Sequence, residues 1–146
     1  MELTPLHFVF YFGASPEKVW EGFVSTESNR IIYGGAELEL DLRPGGKMNY
    51  VGRGPDGRPM TYVRCQILEV EAPTLLLYTF AMGESERSSR VRLQLTPESE
   101  AVKVSVTHDE WQAGDEKTYS QCLDGWPRIL SRLKTLVETG KTFKPH

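Results

Sequence analysis

The last third of the chain carries one continuous apolar stripe, and this stripe constrains the fold more than any other feature. Apolar residues recur at helical spacing from Tyr119 to Val137, which predicts a helix of about six turns with one apolar face. The stripe consists of Tyr119, Cys122, Leu123, Trp126, Ile129, Leu130, Leu133, Leu136 and Val137. Such a face must be buried, so the residues before it have to supply a large apolar surface.

The ends of this helix also have sequence signals. Asp115 is a candidate for the N-terminal cap, and Gly140 is a candidate for the C-terminal cap. Pro127 lies inside the stripe next to Gly125, and it lacks the N–H that the helical hydrogen bond needs. We therefore expect a kink or a junction between two helices at Pro127.

Short strands are predicted to supply the surface that covers the stripe. Apolar and polar residues alternate from Glu37 to Leu42, from Arg90 to Leu95 and from Val102 to Val106, which is typical of half-buried antiparallel strands. Turn sequences such as Pro44-Gly45-Gly46 separate these runs. Further strands are predicted at residues 7–12, 47–51, 61–70 and 75–81.

Helical signals follow the first strand. Ser15 suits an N-cap and Pro16 suits the first helical position, and apolar residues then recur at helical spacing up to Val24. Residues 26–32 suit a further helical turn that ends at Gly34-Gly35, so one or two short helices are predicted after the first strand. The whole order predicts an α+β helix-grip fold, in which a curved antiparallel sheet of about six to seven strands surrounds the C-terminal helix. Without repeats or linkers, residues 1–146 are expected to form a single domain.

Composition excludes several classes of function. A net charge of −3 with scattered basic residues argues against a nucleic-acid binder. The chain has no apolar run long enough for a membrane span and no signal peptide, so a soluble cytoplasmic protein is expected. Cys65 and Cys122 lie far apart and outside any Cys-x-x-Cys motif, which favours two buried thiols. No metal site and no cofactor are predicted.

Four short motifs, taken in order, resemble a known superfamily. They are Ala14–Trp20, Arg43–Tyr50, Glu69–Pro73 with the strand that follows at Leu76–Phe80, and Gly125-Trp126 in the long helix. Together they resemble the SRPBCC superfamily, which is also called START-like or Bet v-like. Within it, they are similar to the branch that resembles the C-terminal domain of the activator of heat-shock protein 90 ATPase.

The resemblance implies a helix-grip fold whose members bind hydrophobic small molecules, act as cyclases or other lyases, or contact chaperones. The motif residues themselves look structural, because they place a helix, a hairpin and the long helix. Fold alone does not choose among these functions.

A set of inward-facing residues is predicted to surround an apolar pocket between the sheet and the long helix. The predicted ligand-binding residues are Met48, Tyr50, Tyr78, Phe80, His108, Trp111, Tyr119 and Trp126. An apolar cavity with a few hydroxyl or indole donors is the usual composition of a small-molecule site. The alternative is that these side chains only fill the core.

His108 and Tyr119 are the candidates for acid–base chemistry. His108 shares the parity of Val106, which places its ring on the covered side of the last strand, and Glu110 shares that parity if the strand extends so far. The alternative is a structural histidine at the rim of the pocket. No third ligand accompanies His108 and Glu110 at a spacing that would suit a metal.

Three functions remain open at this stage. The first is non-catalytic binding of a small apolar or aromatic molecule, and the second is interaction with a chaperone, which only the resemblance motivates. The third is an enzyme of the cyclase, dehydratase or hydrolase type that uses the same cavity. The residues leave open whether the protein is a monomer or a homodimer.

Overall fold

The computed structural model describes residues 2–144, which form an eight-stranded antiparallel sheet and three helices. The strands are β1 Leu6–Phe12, β2 Glu37–Leu40, β3 Met48–Arg53, β4 Pro59–Arg64, β5 Ile67–Glu71, β6 Leu75–Met82, β7 Ser89–Pro97 and β8 Val102–Asp109. The helices are α1 Pro16–Val24, α2 Thr26–Ile32 and α3 Glu116–Thr139. This architecture confirms the predicted helix-grip fold.

The sheet has one more strand than the upper predicted number, because the run predicted at residues 61–70 is two strands. Neighbouring strands follow the order β1-β8-β7-β6-β4-β3-β2, and β5 also pairs with β6. The ladder breaks at Cys65 and Gln66, where side chains replace backbone partners. The N–H of Cys65 donates to Oδ1 of Asn49 at 3.2 Å, and the N–H of Gln66 donates to Oγ1 of Thr79 at 2.9 Å.

Helix α1 begins at the predicted cap Ser15, and α2 begins at Ser25, which was not predicted as a cap. The Oγ of Ser15 accepts from the N–H of Lys18 at 3.2 Å, and the Oγ of Ser25 accepts from the N–H of Ser28 at 3.0 Å. Each hydroxyl satisfies a backbone donor that the first helical turn leaves free. Both helices therefore follow from local sequence signals.

Helix α3 is continuous, so the junction predicted at Pro127 is absent from the described residues. The carbonyl that Pro127 leaves without its helical donor is that of Leu123, whose side chain is on the exposed face. Gly140 ends the helix in the left-handed conformation, as predicted. Asp115 occupies the cap position but makes no capping hydrogen bond. Its carboxylate instead accepts from the N–H of Gln112.

The apolar stripe of α3 lies against the inner face of the sheet, except for Leu123, whose side chain is exposed. Leu130 and Leu133 are completely buried, and each such side chain contributes about 1.5–3 kcal/mol relative to an exposed one. The covering residues from the sheet include Leu76, Val91, Leu93, Leu95, Val102, Val104 and Val106. Among residues 2–144, no helix combines the length and apolar character needed to cross a membrane.

Candidate functional site

A cavity of about 190 Å³ lies between α3 and the inner face of β3, β4 and β6. Its walls are mainly aromatic and aliphatic. The lining residues are Tyr33, Tyr50, Val63, Tyr78, Phe80, Met82, Gln121, Cys122, Gly125, Trp126 and Ile129. The helical residues 122, 125, 126 and 129 share one face of α3, as helical spacing requires. The sheet residues 78, 80 and 82 share the inner face of β6.

The cavity has a narrow inner end that reaches toward the core. This extension holds only about 20 Å³ and touches Met48, Leu76 and Leu93. It shares five of its lining residues with the cavity. The shared residues are Tyr33, Tyr50, Tyr78, Trp126 and Ile129.

A wider surface groove of about 870 Å³ lies on the other side of the cavity wall. The groove and the cavity share Tyr33, Tyr50 and Val63, so these three side chains form the wall between them. The rings of Tyr33 and Tyr50 have centroids 4.7 Å apart. Charged side chains are present in the groove, at Glu37 and Arg53, whereas the residues that line the cavity carry no charge.

Five of the eight residues predicted to bind a ligand line the cavity or its inner end. They are Met48, Tyr50, Tyr78, Phe80 and Trp126. The other three lie behind Phe80 in an aromatic cluster. The ring centroid of His108 is 4.9 Å from that of Phe80 and 4.1 Å from that of Trp111. The ring of Trp111 in turn lies 5.1 Å from that of Tyr119.

His108 is fully buried, and both of its ring nitrogens have partners. The Nε1–H of Trp126 donates to its Nδ1 at 3.0 Å. Because an indole N–H can only donate, the imidazole proton is on Nε2, which lies 2.6 Å from the Oγ of Ser89. That hydroxyl then donates to the carbonyl of Phe80 at 3.2 Å. The indole of Trp126, the imidazole of His108 and the hydroxyl of Ser89 therefore all have hydrogen-bond partners.

Burial lowers the pKa of His108 to about 3, and the negative charges of Asp109 and Asp115 oppose this shift only in part. The ring is therefore neutral at neutral pH, and its one lone pair is already occupied by Trp126. This geometry gives His108 a structural role and does not support its candidacy as a general base.

The pairing of His108 with Glu110 does not form, because β8 ends at Asp109. Glu110 has a φ of 60°, which turns the chain, and its carboxylate lies 3.4 Å from the guanidinium of Arg90. Tyr119, the second acid–base candidate, has its hydroxyl 3.3 Å from Oγ1 of Thr4. Within residues 2–144, no group of three His, Cys, Asp or Glu side chains is arranged to hold a metal ion.

Several cavity residues were not predicted from the sequence. Cys122 and Ile129 belong to the predicted stripe, so their helical spacing could have identified them. Tyr33 carries no periodic signal, because it caps the C-terminus of α2 in front of a glycine turn. Burial raises the pKa of Tyr33, Tyr50 and Tyr78, and it raises the pKa of the Cys122 thiol to about 12. These lining groups are therefore uncharged at neutral pH.

Comparison with protein families gives a match that spans most of the chain. The family model described as activator of Hsp90 ATPase homolog 1-like protein matches residues 13–138. No curated protein sequence matches the chain.

Solved structures share the fold at low sequence identity. The chain is similar to the solution structure of protein ChR145 from Cytophaga hutchinsonii, with 24% identity, a TM-score of 0.77, and 96% of this chain and 98% of that chain covered. It is similar to an Hsp90 activator from Plasmodium falciparum, with 16% identity, a TM-score of 0.75, and 91% and 95% covered. It is also similar to DynU16, from the dynemicin biosynthetic locus, with 20% identity, a TM-score of 0.75, and 94% and 48% covered.

Proposed function

The chain belongs to the family of activator of Hsp90 ATPase homolog 1-like proteins, and on that premise we propose that it binds a small apolar or aromatic molecule without catalysis. The ligand occupies the cavity between α3 and the sheet. The observation that carries this proposal is a cavity of about 190 Å³ whose lining residues are uncharged and largely aromatic. Apolar clefts with few polar groups are the usual sites of small-molecule binding.

The size of the cavity restricts the ligand. An engineered apolar cavity of about 150 Å³ is known to bind benzene. Pockets for drug-sized ligands begin at about 300 Å³. A cavity of about 190 Å³ lies between these values, so its ligand has about one ring with a short substituent.

The polar groups near the cavity argue for binding rather than catalysis. The imidazole of His108 lies behind Phe80 and both of its nitrogens are hydrogen-bonded. The thiol of Cys122 is held protonated by burial, so it is a poor nucleophile. The cavity therefore presents no activated base or nucleophile to a ligand.

Gly125 offers a direct test of the cavity. It lies on the cavity face of α3, and an added Cβ there would meet no atom within 4 Å. We expect Gly125→Leu to fill the cavity and abolish the binding of toluene and acetophenone, measured by titration calorimetry and by intrinsic tryptophan fluorescence. Gly125→Ala is the matched control, because it also replaces glycine by a good helix former and adds only one methyl group.

The two glycine variants separate the outcomes. Wild-type protein and Gly125→Ala should bind at least one of these molecules with a dissociation constant below about 1 mM. Absence of binding to the wild type contradicts the proposal. Equal binding to the wild type and to Gly125→Leu also contradicts it, because the ligand would then lie outside the cavity.

A second candidate function is contact with an Hsp90-type chaperone. It is favoured by the family match over residues 13–138 and by the similar fold of the Plasmodium falciparum Hsp90 activator. The test is the ATPase rate of a purified Hsp90 with and without this protein. A rate that rises with the concentration of this protein supports the candidate, and an unchanged rate at a several-fold molar excess removes it.

A further inference from the structure

We propose that the hydroxyl group of Tyr78 is the hydrogen-bonding anchor of the cavity, and that the ligand is a neutral one-ring molecule that carries a carbonyl or hydroxyl group. This inference rests on the proposed binding function. It adds a chemical class to the size and apolar character of the proposed ligand. The observations that carry it are the unpartnered state of Tyr78 and the absence of charge among the residues that line the cavity.

Tyr78 projects from the inner face of β6 and is only 6% exposed. Its hydroxyl makes no hydrogen bond to any group of residues 2–144. In this part of the chain, every polar side-chain atom that is fully enclosed by protein does have a hydrogen-bond partner. The hydroxyl oxygen is therefore not fully enclosed by protein and faces open space. Tyr78 lines both the cavity and its inner end, and this is the open space that we assign to its hydroxyl group.

An unpaired hydroxyl in such a place favours a polar ligand group. A polar group that is removed from water without a hydrogen bond costs free energy, so a pure hydrocarbon would leave this hydroxyl unsatisfied. Tyr78 stays protonated at neutral pH because burial raises its pKa. It can therefore donate to a carbonyl oxygen or exchange hydrogen bonds with a ligand hydroxyl.

Tyr33 and Tyr50 place further hydroxyl groups in the same region. Both residues line the cavity together with Tyr78. Burial keeps Tyr33 and Tyr50 protonated as well. The polar end of a ligand in this region would thus lie among residues whose hydroxyl groups are neutral.

The same lining excludes charged ligands. No Lys, Arg, Asp or Glu is among the residues that line the cavity or its inner end. A carboxylate or ammonium group would therefore be desolvated there without an opposite charge, which is strongly unfavourable. The charged side chains that line the groove, Glu37 and Arg53, lie beyond the wall formed by Tyr33, Tyr50 and Val63.

Three molecules of nearly equal shape test the inference. Acetophenone carries a carbonyl group, α-methylstyrene replaces that group by an apolar one, and benzoate is an anion. We expect the wild type to bind acetophenone about 2- to 10-fold more tightly than α-methylstyrene, which is the range of one net hydrogen bond. Benzoate should bind more weakly than both, as measured by titration calorimetry.

The variant Tyr78→Phe removes the hydroxyl and keeps the ring. It should abolish the preference for acetophenone over α-methylstyrene, because acetophenone loses its hydrogen bond and α-methylstyrene no longer leaves a hydroxyl group unsatisfied. Tyr11→Phe is the control, because Tyr11 is 50% exposed on β1, outside the cavity. It should bind all three molecules like the wild type.

The possible results separate this inference from the proposed function. If no molecule of the series binds, the proposed function fails and this inference fails with it. If the wild type binds acetophenone and α-methylstyrene equally, or if Tyr78→Phe keeps the preference, the anchor is wrong and the cavity proposal stands. Benzoate binding as tight as that of acetophenone would overturn the assignment of a neutral ligand. The wild-type comparisons remain decisive even if Tyr78→Phe fails to fold.

Discussion

A buried histidine such as His108 does not exchange protons near neutral pH, as an exposed imidazole does. Trp126 and Ser89 occupy its two ring nitrogens, and its side chain has no contact with solvent. Protonation of Nδ1 would place a charge in this cluster and would break the hydrogen bond from the indole N–H of Trp126. Among residues 2–144, that N–H has no other acceptor. The residue therefore couples the stability of the fold to pH.

We expect the fold to lose stability in mild acid because of His108. Its pKa is about 3 in the folded chain and near the ordinary value of 6.5 when unfolded, so the unfolded chain binds the extra proton between these values. The contribution is complete above pH 6.5 and decreases as the pH falls toward 3. Between pH 7 and pH 5 the wild type should lose about 2 kcal/mol of unfolding free energy more than His108→Gln. Urea denaturation at the two pH values measures this, and equal losses would contradict it.

Arg132 is a second residue whose burial defines its role. Its side chain is 3% exposed and donates to the carbonyls of Ile32 at 3.1 Å, Ile31 at 2.7 Å and Phe143. It therefore joins α3 to the end of α2 and to the chain after α3. Burial lowers its pKa from a value so high that it remains charged.

Replacement of Arg132 by Met should destabilise the protein by about 3 kcal/mol, because three carbonyl groups lose a charged donor. The matched control is Arg128→Met on the exposed side of α3, where the guanidinium pairs with Asp124. An exposed ion pair of this kind contributes at most about 1 kcal/mol. Urea denaturation of both variants gives the comparison. Similar losses for the two variants would show that the carbonyl contacts contribute little.

At the scale of elements, the turn between β2 and β3 depends on close packing of its own backbone. A Cβ at Gly46 would lie 2.0 Å from the carbonyl oxygen of Asp41, which is far inside van der Waals contact. The neighbouring Gly45 has a φ of 83°, in the region that favours glycine. The paired glycines are therefore required by geometry, which agrees with their prediction as a hairpin turn.

Gly46→Ala should destabilise the protein by more than about 2 kcal/mol, since the obstacle is backbone that has to move. The same substitution at Gly125 is the control, because an added methyl group there meets open space within a helix. Gly125→Ala should stabilise the protein by up to about 1 kcal/mol. Thermal unfolding should shift in opposite directions for the two variants. A shift in the same direction for both would refute the steric explanation.

At the scale of the whole molecule, the sheet and α3 together determine where space remains. Helix α3 buries Leu130 and Leu133 against the sheet, whereas Gly125 contributes no side chain near β6. The sheet has an irregular register between Tyr50 and Val51, and such irregularities bend and twist strands. The cavity therefore lies beside the glycine on the helix and the irregular strand of the sheet.

Much of this arrangement could be predicted from the sequence. Period-2 alternation identified β7 and β8, and the capping residues Ser15 and Gly140 marked helix ends correctly. The alternation of side chains along β8 correctly placed His108 on the covered side of the sheet. The break at Cys65 could not be predicted in the same way, because it depends on the side chains of Asn49 and Thr79 from other strands.

The sequence by itself determined the elements, their order and the faces they bury, because periodicity and capping are local properties of a chain. Only the tertiary structure decided that Tyr33 and Tyr78 meet at one cavity and that His108 lies behind its wall with both nitrogens bonded. These outcomes depend on distances between residues that are remote in sequence and on how completely their side chains fill the shared space.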